Sequence, residues 1–304
     1  MIVSSPAQFL SLYSPERFPA TASATARAAF LVTPTGFSLA AESASDNRYM
    51  AMQSGVDSVR ALAEHATLAT MLRECLPTVA FPGDPATPDA VFPNNVFATV
   101  PGRAIIGSMR HGVRRREAGR ADIQAFFRDL LQYEIVDLST RPLVAELTGA
   151  MVIDRARGIG WCGLSERCDR GGAEAMHRAF GLKLTLCFDL APGEYHTNVV
   201  LALLASRAAI VAADGFADPA VVDAIAHVYA PRVLRIDAAQ KAAFAGNAIT
   251  LDAGVVWMSH GAMRSLTDAQ RAALAQWGFT LRGVALDEIE KAGGSLRCCV
   301  GEIF

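Results

Sequence analysis

Seven side chains able to do chemistry stand at one repeating position of this sequence, where polar residues adjoin an apolar, strand-like run: Asn94, Asn95, Glu146, His196, Asn198, Asn247 and Cys298. A free thiol has a pKa of about 8.5, so at neutral pH it needs a partner to become a nucleophile. An imidazole within hydrogen-bond reach supplies one and also carries protons to a leaving group. A carboxylate such as Glu146 orients a substrate N–H and gathers positive charge at a reacting carbon. The set points to nucleophilic catalysis by Cys298, with His196 as acid and base. Taken singly, His196 reads as well as a core histidine, Glu146 as a solvated loop acid, and Asn94 and Asn95 as turn caps. Their shared phase argues for a site. Cys299 is adjacent, and strand alternation lets one thiol of the pair face inward; the phase selects Cys298.

That phase comes from an internal repeat. NNVFATVPGRAIIGSM (94–109), GAMVIDRARGIGWCGL (149–164), TNVVLALLASRAAIVA (197–212) and GNAITLDAGVVWMSHG (246–261) each read as an apolar strand, a short break and a second apolar strand, with starts 55, 48 and 49 residues apart. This is the hairpin pattern. A helical pattern follows each, over Ala121 to Leu131, Ala173 to Phe180, Pro219 to Val228 and Thr267 to Trp277. Thr267 with Gln270 makes a capping box. Short strands close the units at Tyr133 to Val136, Leu182 to Cys187, Arg232 to Ile236 and Thr280 to Val284. A fifth copy is split between the termini: GGSLRCCVGEIF (293–304) offers one strand, AAFLVT (28–33) another, and Val56 to Leu72 the helix. Closing the ring removes exposed sheet edges. The expectation is a five-bladed α/β propeller of strand–strand–helix–strand units, one domain over residues 1–304.

Composition narrows the function. The chain is 52% hydrophobic and 19% charged, with net charge −2, which excludes disorder and offers no field for a nucleic-acid backbone or an anionic membrane. The longest apolar run, Val199 to Ala205, is far short of the roughly 18 to 20 residues that span a bilayer. The reading is a soluble, cytoplasmic protein with a small-molecule partner and a homodimer as the assembly to test. The six cysteines, Cys75, Cys162, Cys168, Cys187, Cys298 and Cys299, form no CxxC pair, and no HExxH occurs, so no metal and no other cofactor is expected. Gly158, Gly160 and Gly163 spell GxGxxG inside a hairpin rather than at a helix opening, which argues against a dinucleotide site. Arg114 to Arg116 read as a solvated loop or helix start, with substrate contact left open.

The runs FPNNVFAT, AELTGAMVID, GLSERCD, YHTNVV, FAGNAITL and GGSLRC resemble those of arginine deiminase-related hydrolases of the guanidine-modifying, or pentein, superfamily, and most of all the citrulline utilisation hydrolases. The resemblance runs from about Asn47 to Phe304. It implies the same five-bladed fold, a covalent adduct on cysteine and no metal. It places the nucleophile at Cys298, the acid and base at His196 and the glutamate at Glu146, where Leu147 replaces the usual following glycine. The loop Gly163 to Arg167 then makes Arg167 the clamp for a substrate carboxylate. Asn95 and Asn198 replace two aspartates of the deiminases, so neutral amides stand where carboxylates would embrace a guanidinium.

The expected activity is cysteine-dependent hydrolysis of a C–N bond in a ureido or guanidino group, of citrulline or an arginine derivative, with Asn95 and Asn198 holding the substrate nitrogens. Arginine deimination, amidino transfer to an amine, and a non-catalytic propeller that binds an amino acid are the other readings. Because no metal-ligand spacing occurs, turnover measured by ammonia release should persist after exhaustive dialysis against EDTA, and a loss restored by a divalent ion would overturn a thiolate mechanism.

Overall fold

A computed structural model describes all residues, 1–304. Its strands form five separate sheets. Each sheet has one plan, in which two strands pair antiparallel and a third, reached through a helical crossover, joins the second in parallel. In chain order these are Phe97–Val100, Arg103–Ile106 and Glu134–Asp137; Met151–Asp154, Ile159–Leu164 and Leu184–Asp189; Leu201–Leu204, Ala208–Ala212 and Val233–Ile236; and Ile249–Thr250, Val255–Ser259 and Thr280–Val284. The fifth joins the two ends of the chain: Gly301–Ile303 pairs antiparallel with Ala28–Val32, which pairs in parallel with Thr78–Phe81. No strand pairing links one sheet to the next.

Local chemistry accounts for most of this. Glycines with left-handed backbone, Gly102 and Gly158, sit in the hairpin turns, where an ordinary residue would be strained. Several helices start at side-chain caps: Asp218 accepts from Ala220 N ahead of Pro219–Tyr229, and Thr267 with Gln270 forms a reciprocal box ahead of Asp268–Gln276. The strand Ala208–Ala212 is buried at every position, as a strand covered on both faces must be. The largest part of the core surrounds it and extends to Trp161 and to Phe9 of the helix Pro6–Leu12, whose rings lie 4.9 Å apart. No helix is long and apolar enough to cross a membrane.

The structure departs from the sequence reading at several points. The chemically active positions precede the strands in single helical turns: Pro93–Asn95, Leu147–Ala150 with Glu146 ahead of it, Thr197–Val200 with His196 ahead of it, and Leu296–Cys299. Strand alternation therefore does not separate Cys298 from Cys299; both lie in a helical turn and both are buried. The helix expected over Ala121 to Leu131 changes at Phe126 to a wider π-helical turn. Ile2–Val3 adds a fourth strand to the second sheet, beside Leu184–Asp189. Leu147 has φ of +24° although its side chain is fully buried, so leucine occupies the kind of backbone that favours glycine.

Replacing Thr267 by alanine should remove the hydrogen bond that its hydroxyl accepts from Gln270 N. A lost cap costs about 1 kcal/mol, so differential scanning calorimetry should show Tm lowered by about 2–4 °C.

Candidate functional site

The first half of the site is a buried charge cluster. Glu146 and His196 are both 0% exposed, and His196 Nε2 lies 2.9 Å from Glu146 Oε2. Arg167 Nη1 sits 3.2 Å from the same carboxylate oxygen, and the Arg110 backbone N–H donates to Oε1 at 3.2 Å. Burial alone would raise the Glu146 carboxyl, but Arg167 and His196 reverse that and hold it far below the usual carboxylate range. Glu146 is thus ionised. Burial lowers His196, the Glu146 contact opposing it, so the imidazole is neutral at pH 7. An ionised carboxylate on Nε2 requires that nitrogen to carry the proton. Nδ1 then holds a bare lone pair, and it has no partner in the protein.

The second half is the thiol. Cys298 Sγ accepts from Asn247 Nδ2 at 3.3 Å and from Asn198 Nδ2 at 3.6 Å. Asn247 Nδ2 also donates to Asn198 O at 2.9 Å, which ties the two amides together. Burial pushes the thiol pKa up, while the Asn247 and Asn198 amides and the Arg297 charge favour the thiolate. Asn198 and His196 belong to one short turn. Thr197 between them donates to Ala150 O at 2.6 Å and accepts from Gly163 N at 2.9 Å, locking that turn onto the second sheet.

Gly149 brings Asn95 close to the imidazole. A Cβ there would come within 2.5 Å of Asn95 Oδ1 and 2.8 Å of His196 Nδ1. Asn95 Oδ1, like His196 Nδ1, is buried and unpartnered. Asn94 is held less directly, its backbone carbonyl accepting from Thr148 Oγ1 at 2.9 Å. All the positions in phase are therefore buried together, but the contacts differ from those expected. The thiol's hydrogen-bond partners are amides, whereas the imidazole is paired with Glu146.

Arg167 also differs from the expected substrate clamp. Its Nε contacts Asp46 at 2.9 Å, Nη2 reaches Asp46 Oδ1 at 2.6 Å and Ser43 O at 3.0 Å, and Nη1 faces Glu146. The guanidinium fork is filled by protein, so Arg167 orients Glu146. Arg114 is buried rather than solvated, paired with Glu117 at 2.9 Å and donating to Phe92 O at 2.9 Å. It braces the backbone just before Asn94 from the helix Gly112–Ala118. Arg115 and Arg116 donate to the carbonyls of Met109 and Ala86. Sequence reasoning missed Asp46, which lies outside the repeats, and Tyr195, whose ring is 4.5 Å from the His196 ring. Gly149 was visible only as the first residue of a repeat.

The amide contacts predict a pH effect. Removing a donor to a thiolate costs roughly 1.5–3 kcal/mol, equivalent to about one to two pH units. Asn247→Ala should shift the alkylation midpoint of Cys298 upward by that order, followed by mass spectrometry of the Cys298 peptide at a series of pH values.

Known proteins place the chain. Among curated proteins none matches the sequence. The N-terminal domain of ArgZ, an arginine dihydrolase from the ornithine–ammonia cycle in cyanobacteria, superposes with TM-score 0.78 at 18% identity, over 91% of this chain and 97% of that domain. Full-length ArgZ gives 0.79 at 19% identity over 91% of this chain, but this chain spans only 40% of it. A dimethylarginine dimethylaminohydrolase gives 0.69 at 20% identity, over 91% and 99%. These likenesses establish a common mixed α/β pentein fold. The family model for eukaryotic N,N dimethylarginine dimethylhydrolase matches residues 33–304, and by that match the chain belongs to this family of arginine-modifying pentein hydrolases.

Proposed function

We propose that this chain is a cysteine-dependent hydrolase of C–N bonds in a terminal guanidino or ureido group, built as one domain over residues 1–304 with its five sheets as blades about a common axis. The observation that carries the reading is the pair of buried, unpartnered acceptors, Asn95 Oδ1 and His196 Nδ1, both beside Gly149. Buried acceptors left unpaired are costly, and a planar group rich in N–H donors pairs both. Both atoms belong to neutral groups, as do Asn198 and Asn247 around the thiol. A neutral ureido group therefore needs no counter-charge there. The family match and the ArgZ likeness support a guanidino-derived substrate, and an arginine-to-ureido-to-amine sequence uses one site twice.

In this mechanism Cys298 passes its proton to His196 Nδ1 through the bound group, and the thiolate attacks the planar carbon. The Asn198 and Asn247 amides stabilise the thiolate charge. Ammonia leaves with the proton from His196. Water then loses a proton to the same nitrogen and attacks the carbon, the C–S bond breaks, and the thiolate is restored. For arginine the first cycle yields citrulline. A second yields an N-alkyl carbamate that collapses to ornithine and carbon dioxide. Across both, two waters are consumed and two ammonia molecules released.

The test incubates arginine, dimethylarginine and citrulline separately with wild type, Cys298→Ala and Cys299→Ala, measuring ammonia and the amino-acid products. Wild type should convert citrulline to ornithine, Cys298→Ala should be inactive, and Cys299→Ala should keep a substantial fraction. Arginine conversion that stops at citrulline would support plain deimination. A dead Cys299 variant beside an active Cys298 variant would move the nucleophile.

A further inference from the structure

Arg155, partly buried, differs from three other arginines drawn into the interior. Arg114, Arg157 and Arg167 each pair with a carboxylate, from Glu117, Asp154 and Glu146 with Asp46 respectively. The Arg155 guanidinium lies 4.3 Å from the Phe304 ring centroid and 5.3 Å from that of Phe180, and Nη1 donates to Thr99 O at 3.0 Å. No Asp or Glu carboxylate lies within ion-pair distance of it. The nearby acid, Glu302, is paired with Arg297 at 2.8 Å. Burial pushes Arg155 down to about 10, against the pull of Glu302. A charge taken out of water without a partner is costly.

That guanidinium forms part of the wall of a cavity of about 250 Å³ between the second sheet's hairpin turn and the chain's last residue. Lys183, which makes no ion pair, lies on the same wall; Thr21 and Ser23 add hydroxyls, and no Asp or Glu lines the cavity. Most of the remaining wall is apolar, with Phe180 and Phe304 the largest surfaces. Two cationic side chains, no acidic side chain and aromatic walls describe a receptor for an anion that carries an apolar body. A planar guanidinium fork suits a carboxylate. Arg155 also borders a smaller cavity of about 50 Å³ lined by Thr148 and by Asn198, whose amide contacts Cys298.

We propose that the Arg155 cavity is a second binding site, separate from the Cys298 site, for a small organic carboxylate whose charge meets Arg155 and Lys183 and whose apolar body lies against Phe180 and Phe304. The probe is 4-fluorophenylacetate, followed by ¹⁹F line broadening against the full chain, with 4-fluorophenylacetamide as its neutral counterpart. Wild type should broaden the carboxylate and not the amide. Arg155→Met should weaken binding by about tenfold or more, the scale of a charge-assisted hydrogen bond. Should Arg155→Met fail to fold, Arg155→Lys and Lys183→Met serve, each expected to weaken binding severalfold. Alkylation of Cys298 should leave the affinity unchanged. No binding by wild type at about 10 mM probe, equal binding of the amide, unchanged affinity in the Arg155 variant tested, or loss on alkylating Cys298 would each overturn the proposal.

Discussion

Glu146 is an ionised carboxylate with no exposure to solvent, and the rest of the site depends on its being paired. Removing a carboxylate from water costs several kcal/mol even after relaxation. Here the cost is offset by Arg167 at 3.2 Å, by His196 at 2.9 Å and by the Arg110 N–H at 3.2 Å. The arginine in turn needs Asp46, which comes from a segment far away in sequence. The chain around Asp46 is thereby pinned over the site, with Asn47 donating to Gly293 O at 3.3 Å and Tyr49 donating to Glu194 at 2.6 Å. One buried charge thus sets the imidazole's tautomer, occupies the arginine fork and draws a remote segment into place.

The thiol is treated differently. No cation pairs with Cys298; amide donors from the turns ahead of the third and fourth sheets, Asn198 and Asn247, reach its sulfur. Amides stabilise a thiolate without adding a fixed charge, so the neighbourhood of the reacting carbon stays close to neutral while Glu146 and Arg167 cancel each other nearby. This separation agrees with the proposed turnover of a neutral ureido group. It also explains why burial raises the thiol and the surrounding donors only moderate that rise.

Likeness in fold at 18–20% identity follows from how the repeats are held. Each sheet is specified by hairpin turns, apolar strands and helix caps that many sequences satisfy. Local departures are absorbed by packing. At position 147 a leucine takes backbone that favours glycine, a strain of about 1–3 kcal/mol, and full burial of its side chain keeps it there. Arg114 makes a similar trade, its guanidinium desolvated against Glu117 so that it can hold the carbonyls of Asp89 and Phe92.

The sequence by itself determined the repeat and the phase of the reactive residues. Hairpin breaks, strand alternation and the Thr267–Gln270 box are written within a few residues. Counting those units brought the two termini together, as Ala28–Val32 beside Gly301–Ile303 bears out. The phase likewise singled out Cys298, His196 and Glu146 as one expected set, because equivalent positions of a repeated unit sit alike in the fold. Tertiary structure decided which of these side chains touch. Arg167 meets Asp46 across 121 positions, Cys298 meets Asn198 across 100, and Ile2–Val3 pairs with a strand on the far side of the second sheet's hairpin. Such partners are chosen by competition among buried charges, donors and acceptors for one another once water is excluded. No window of sequence contains that competition.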